Sequence, residues 1–147
     1  MVNPIPEAYG SVTPYLVVEG AEEFMGFLKN AFGATVRGDD VMRGPDGTIG
    51  HAEVEIGDSI VMLSDVPSDG EATRAMLNVY VEDCDSTYKK ALAAGAESVR
   101  EPEDQFYGDR SGGVRDKWGN QWYISTHVED VSPEEMERRV KEQFQGS

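Results

Sequence analysis

Cysteine is nearly absent: Cys84 is the single one in 147 residues. An internal disulfide is therefore excluded, and with it the scaffold of a small disulfide-stapled domain. Long hydrophobic runs are missing as well, since no stretch approaches the roughly 20 apolar residues that a membrane helix needs. The opening residues, Met1-Val2-Asn3-Pro4-Ile5-Pro6-Glu7, have neither a basic start nor an apolar core. No secretory signal is expected, and the expected compartment is the cytoplasm. Basic side chains are scarce, with 13 Lys and Arg against 28 Asp and Glu and a formal net charge of -15. Such a surface repels phosphate backbones and anionic lipid, so nucleic acid and membranes are not expected partners. It draws cationic ligands, or else it serves solubility or a salty milieu. Glycine-rich phosphate loops, zinc-spaced cysteine pairs and basic patches are all lacking.

What the chain does contain is a repetition. Val17-Val18-Glu19-Gly20, a helix-like run and Gly33-Ala34 are echoed by Tyr80-Val81-Glu82-Asp83, a helix-like run and Gly95-Ala96. Gly57-Asp58-Ser59-Ile60-Val61-Met62-Leu63-Ser64 is echoed by Gly119-Asn120-Gln121-Trp122-Tyr123-Ile124-Ser125. A repeat of about sixty residues is too long for a solenoid unit and points to two copies of one small module. Neither copy buries much surface alone; two together share a core with a groove between them.

Local patterns fill in each copy. Thr13 to Val18 reads as a strand, with Pro14 near its start. Phe24, Phe27, Leu28 and Ala31 mark one helix face between Ala21 and Phe32, and Gly33 supplies the stop. A polar strand is expected from Val36 to Arg43, then a turn at Pro45-Asp46-Gly47. His51 to Ile56 alternates, placing His51, Glu53 and Glu55 on one face, and Gly57-Asp58 turns the chain into the strand Ser59 to Ser64. The polar stretch Asp65 to Arg74 reads as a linker. The second copy is expected to have a strand from Met76 to Glu82, a helix capped by Asp83 or Asp85, and a short strand at Val99-Arg100. A long loop from Glu101 to Arg110 follows, then strands Gly113 to Arg115 and Asn120 to Thr126. Ser132-Pro133-Glu134-Glu135 is a capping box that opens a terminal helix with Met136, Val140 and Phe144 in a stripe.

The order is β-α-β-β-β, twice, plus a helix. The expected fold is α+β: tandem βαβββ modules forming a curved eight-stranded cup. One domain spans residues 1–131, with modules at about 10–66 and 74–128, and residues 132–147 form the tail helix.

These residues carry a family likeness. The doubled order, the stretch from Phe106-Tyr107-Gly108-Asp109 to Trp118-Gly119-Asn120, Gly50-His51-Ala52-Glu53 and Thr126-His127-Val128-Glu129 together resemble the vicinal oxygen chelate superfamily. That group includes glyoxalase I, bleomycin-resistance proteins and extradiol dioxygenases, and the likeness is to its uncharacterised PhnB-like branch. The resemblance implies a divalent metal held by His or Glu on the first and last strand of each module. It places Thr13, Met62, Met76 and Tyr123 at those positions. Hydroxyl and thioether groups are poor ligands for a hard divalent cation, so no metal and no other cofactor is expected. His51 and Glu53 could begin a metal or acid–base site, but the implied strand order sets them away from the cup centre, where a polar patch serves equally well. His127 reads as structural.

Strand alternation then predicts the lining. Thr13 and Tyr15 share the face of Met62, while Met76, Asn78, Tyr80 and Tyr123 line the second half. Phe106 and Tyr107 would close over from the loop, and Arg115 would hold an anionic or carbonyl group. Cys84 is expected to face the core. The expected function is metal-independent binding of a planar, partly apolar and cationic small molecule, of the glyoxalase/bleomycin-resistance type. The alternative is a glyoxalase-like lyase, isomerase or dioxygenase with a non-standard metal or acid–base site. The resemblance also implies a homodimer.

Overall fold

The computed structural model describes residues 1–38 and 41–145. The first module runs β1 (Tyr15–Val18), α1 (Ala21–Phe32), β2 (Thr35–Val36), β3 (Met42–Arg43), β4 (Ile49–Ile56) and β5 (Ser59–Asp65). The second runs β6 (Met76–Tyr80), α2 (Cys84–Ala93), β7 (Glu97–Asp104), β8 (Asp109–Arg115) and β9 (Gln121–His127). A final helix, α3 (Pro133–Gln145), follows. The fold is α+β, built from two βαβββ-like modules and a C-terminal helix.

Each module makes its own mixed sheet. The first has the order β1-β5-β4-β2 with β3 added to β4, and the second has β6-β9-β8-β7. In both, the opening strand lies parallel to the closing one, Tyr15 beside Met62 and Asn78 beside Tyr123. The two sheets share no strand pairing among the described residues.

Helices join the halves instead. Helix α1 forms because Phe24, Leu28 and Ala31 recur on one face, and each is essentially fully buried. Burying side chains such as Phe24 and Leu28 contributes about 1.5–3 kcal/mol each. The start of α1 has no side-chain cap of its own; the Asp65 carboxylate at the end of β5 accepts from the Gly20 and Ala21 amides at 3.1 and 2.8 Å. Its second oxygen accepts from the Ile49 amide at 2.7 Å. Gly33 ends the helix in the left-handed conformation, φ 68°. Helix α2 begins at Asp83, whose carboxylate accepts from the Ser86 amide at 3.2 Å. Helix α1 packs on the first sheet and on α2, which packs on β7, β8 and β9. One buried cluster thus runs from Leu16, Val54 and Leu63 through both helices to Val114, Trp122 and Ile124.

Several expectations are corrected. Thr13 lies outside β1, although the Pro14 carbonyl still accepts from the Met62 amide at 2.9 Å. The polar strand from Val36 to Arg43 is two short strands; residues 39 and 40 lie outside the described residues. Most of the long loop from Glu101 to Arg110 is a strand hairpin, β7 and β8, closed by a turn at residues 105–108. Irregular register between Ser98, Arg100 and Glu103 breaks the period-2 signal there, which hides the strand from a reading by alternation. The expected helix at residues 132–147 is α3, opened by the Ser132 hydroxyl accepting from the Glu135 amide at 3.1 Å; residues 146 and 147 are outside the described set.

Candidate functional site

The strand faces turned away from the helices carry the chemistry. On the first sheet, Tyr15, Met62 and Glu53 stand side by side on β1, β5 and β4. Glu53 is only 7 % exposed. Its Oε1 accepts from the Tyr9 hydroxyl and from Arg37 Nη1, the latter at 2.8 Å, and its Oε2 meets His51 Nε2 at 2.9 Å. A carboxylate accepts only, so His51 Nε2 carries a proton; in the neutral ring Nδ1 then accepts from Tyr15 O–H at 3.1 Å. Burial pushes the Glu53 carboxyl up, but hydrogen bonds from His51, Tyr9 and Arg37 outweigh it and hold it below the ordinary carboxylate range. Alternation placed His51 and Glu53 on one face. It gave no sign of Tyr9 and Arg37, which arrive from a turn and from the end of β2.

On the second sheet, Asn78, Tyr123, Gly113 and Arg100 form one row across β6, β9, β8 and β7. A neighbouring row holds Tyr80, Ser125 and Ser111. The Arg100 guanidinium carbon sits 5.5 Å from the Tyr123 ring centroid, and Nη2 donates to Ser111 Oγ at 3.2 Å. Ser111 and Ser125 are buried, 3.1 Å apart, and Ser125 donates to Asn78 Oδ1 at 3.0 Å. Further along, Tyr80 O–H donates to Asp109 Oδ2 at 2.7 Å, while His127 bridges Asp109 and Asp130 at 2.8 and 2.7 Å. The bond to Asp109, then that to Asp130, raises the His127 pKa. Sequence reasoning did not single out Arg100, Ser111 or Asp109 as site residues: the broken register of β7 hides the face of Arg100, Asp109 lies inside the expected loop, and Ser111 falls between that loop and the next expected strand.

The predicted lining residues are thus divided. Tyr15 and Met62 join His51 and Glu53 on the first sheet. Met76, Asn78, Tyr80, Tyr123 and Arg115 share the second, with Met76 69 % and Tyr80 63 % exposed. Thr13, Asn78 and Tyr80 also border a groove of about 1280 Å³ between the modules, together with the Ile56–Val61 hairpin and the open edge of β6. Phe106 and Tyr107 occupy the β7–β8 turn, their ring centroids 5.3 Å apart. That turn is tied to the tail: the Phe106 carbonyl accepts from Arg139 Nη1 at 3.0 Å, and the Gly108 carbonyl accepts from the Val128 and Glu129 amides at 2.9 and 3.0 Å. Cys84 is buried at the start of α2, and burial pushes its thiol up.

The donor set does not fit a resident divalent cation. The four positions hold two thioethers, a hydroxyl and a phenol. The nearest buried carboxylate, Glu53, is already bonded to a guanidinium, a phenol and an imidazole. No group of three or more His, Cys, Asp and Glu among the described residues is placed to hold a metal ion.

Comparison with known proteins bears on the fold and the family. The family model described as the Glyoxalase/Bleomycin resistance protein/Dioxygenase superfamily matches residues 9–124. An uncharacterised protein of Mycobacterium bovis is 33% identical, over 92% of this chain and 95% of its own length. Among solved structures, TioX from Micromonospora sp. ML1 has a TM-score of 0.64 at 30% identity, over 81% of this chain and 100% of its own. A Bacillus cereus PhnB protein, described as a putative 3-demethylubiquinone-9 3-methyltransferase, has a TM-score of 0.60 at 22% identity, over 80% of this chain and 99% of its own, a likeness of fold.

Proposed function

This chain belongs to the Glyoxalase/Bleomycin resistance protein/Dioxygenase superfamily, and on that premise we propose that it binds a planar, partly apolar small molecule without a metal ion. One observation carries the reading. The helix-averted faces present rings and thioethers, Tyr15, Tyr80 and Met76 among them, that are 42 %, 63 % and 69 % exposed. Such groups bind flat ligands by stacking and soft packing. The field of a chain at -15 adds a preference for cationic character. The supporting chemistry is the donor set, which suits no hard cation at the positions that the resemblance implies for one.

A homodimer belongs to the same proposal. Within one chain the helices lie between the two sheets, so their outer faces do not close on each other. A second copy would let one face cover another and would shield the open β6 edge. Sedimentation at micromolar concentration should then show one species near twice 16.1 kDa.

A thermal-shift screen of aromatic compounds, with metal analysis of the purified protein, tests the main reading. Flat aromatic ligands should raise the Tm of protein free of stoichiometric metal. About one tightly held divalent ion per chain would overturn the metal-independent reading.

The Tyr15–His51–Glu53 line favours a second reading, a metal-free acid–base enzyme. A phenol at the open face, an imidazole and a buried carboxylate have the layout of a proton relay. It requires that the wild type catalyse deuterium exchange into an α-hydroxyketone and that His51→Gln lose that exchange.

A further inference from the structure

Acidic residues outnumber basic ones 28 to 13, and ion pairs engage Arg37, Arg43, Arg110, Arg138 and Arg139. Arg74 and Arg115 have no described ion pair either, but both are exposed; Arg100 is different. It is half-buried, yet no described carboxylate pairs with it, and its Nε is buried without a hydrogen-bond partner. Leaving such a donor unpaired costs stability. A half-buried guanidinium left unpaired in a chain rich in carboxylates is a candidate partner for a ligand's anion.

Proton counting sharpens this. Arg100 Nη2 donates to Ser111, and Ser125 spends its one proton on Asn78 Oδ1. Ser111 must then supply the proton between the two hydroxyls, which are 3.1 Å apart. The chain of bonds runs one way, from Arg100 to Asn78. With Asn78 Oδ1 occupied, its amide NH₂ remains as a donor without a described protein partner, and so does Arg100 Nη1. Between them lies the Tyr123 ring, seated against Gly113, where an added Cβ would come within 3.0 Å of it.

We infer that the row Arg100–Tyr123–Asn78 is an anion subsite, taking the carboxylate or phosphoryl group of a ligand whose flat body rests on Tyr123. This rests on the small-molecule reading above and adds to it a requirement for negative charge at one end of the ligand. An amphoteric molecule satisfies both this row and the long-range field of the protein. A guanidinium matches an oxyanion in two parallel N–H···O bonds, which an ammonium cannot reproduce.

The test is a titration of full-length protein, in buffer free of phosphate and sulfate, followed by amide chemical shifts. The probes are naphthalene-2-carboxylate, naphthalene-2-carboxamide and inorganic phosphate. The carboxylate should bind more tightly than its neutral amide and be displaced by phosphate. Arg100→Met should weaken the carboxylate by about ten- to hundredfold. Arg100→Lys should recover part of that loss, and Lys29→Met, a charge change on α1, should have no effect. If Arg100→Met fails to fold, Arg100→Lys and phosphate competition on the wild type decide alone. Equal binding of amide and carboxylate, or carboxylate binding indifferent to Arg100, overturns the anion subsite and leaves the small-molecule reading standing. Binding of none of the three probes overturns the subsite and counts against the reading beneath it.

Discussion

Phe32 of α1 and Trp122 of β9 place their ring centroids 4.8 Å apart at a tilt of 41°. The last residue of one module's helix is packed on a strand of the other. Phe24 and Phe27 meet Trp118 at 4.9 and 6.0 Å in the same region. Aromatic pairs of this kind add about 0.5–1.5 kcal/mol beyond the area they bury. The modules should therefore unfold as one unit. Trp122→Ala is expected to cost about 3–5 kcal/mol and to lower the urea midpoint of both modules together. Two separate transitions would show that the shared core does not couple them.

Glu53 is a hub whose loss reaches three side chains. Glu53→Gln keeps the shape and removes the charge that holds Arg37, Tyr9 and His51. The expected cost is about 1–3 kcal/mol by chemical denaturation at neutral pH. The native carboxyl titrates below its ordinary value of 4.5. Its stabilisation is thus present above pH 4.5 and is lost as pH falls through the native pKa. The gap between wild type and variant should narrow in acid; a gap independent of pH would rule out the charged hub.

His127 works in the opposite direction. Held between Asp109 and Asp130, it titrates above 6.5 in the native state. Its contribution is complete below pH 6.5 and is lost as pH rises through the higher native value. An NMR titration of the His127 ring should find the raised pKa. His127→Gln should flatten the loss of stability in that window, and an unaltered slope would assign it to other groups.

Cys84 should resist modification. It is 2 % exposed, and desolvation disfavours its thiolate. A disulfide reagent is expected to label the native protein at the rate of opening and the urea-unfolded protein at once. Rapid native labelling would mean that the start of α2 opens readily.

Much of this molecule was legible from local pattern, and the rest was not for physical reasons. The spacing of Phe24, Phe27, Leu28 and Ala31 marked α1, and the alternation from His51 to Ile56 marked β4, because both elements bury one face on one core. Asp83 and Ser132 announced α2 and α3 through capping chemistry that is local by nature. The face carrying Arg100 was hidden, since bulges in β7 undo the alternation on which such a reading depends. How the modules meet was hidden too: the Phe32–Trp122 contact joins residues far apart in the chain, and no periodicity records it. The same holds for Asp116, a buried carboxylate that accepts from the Trp118 and Asn120 amides and from Trp122 Nε1, all at 2.9 Å. In sequence it looks like an ordinary turn aspartate.

Gly108 sits at the hairpin tip with φ 101°, and an added Cβ there would overlap the Glu129 carbonyl oxygen. In a saturation library this position should behave as an all-or-none gate. Even alanine would have to lever the segment leading into α3 off the sheet before it could be accommodated, so the seating of the tail is governed by an atom that is missing far upstream of it.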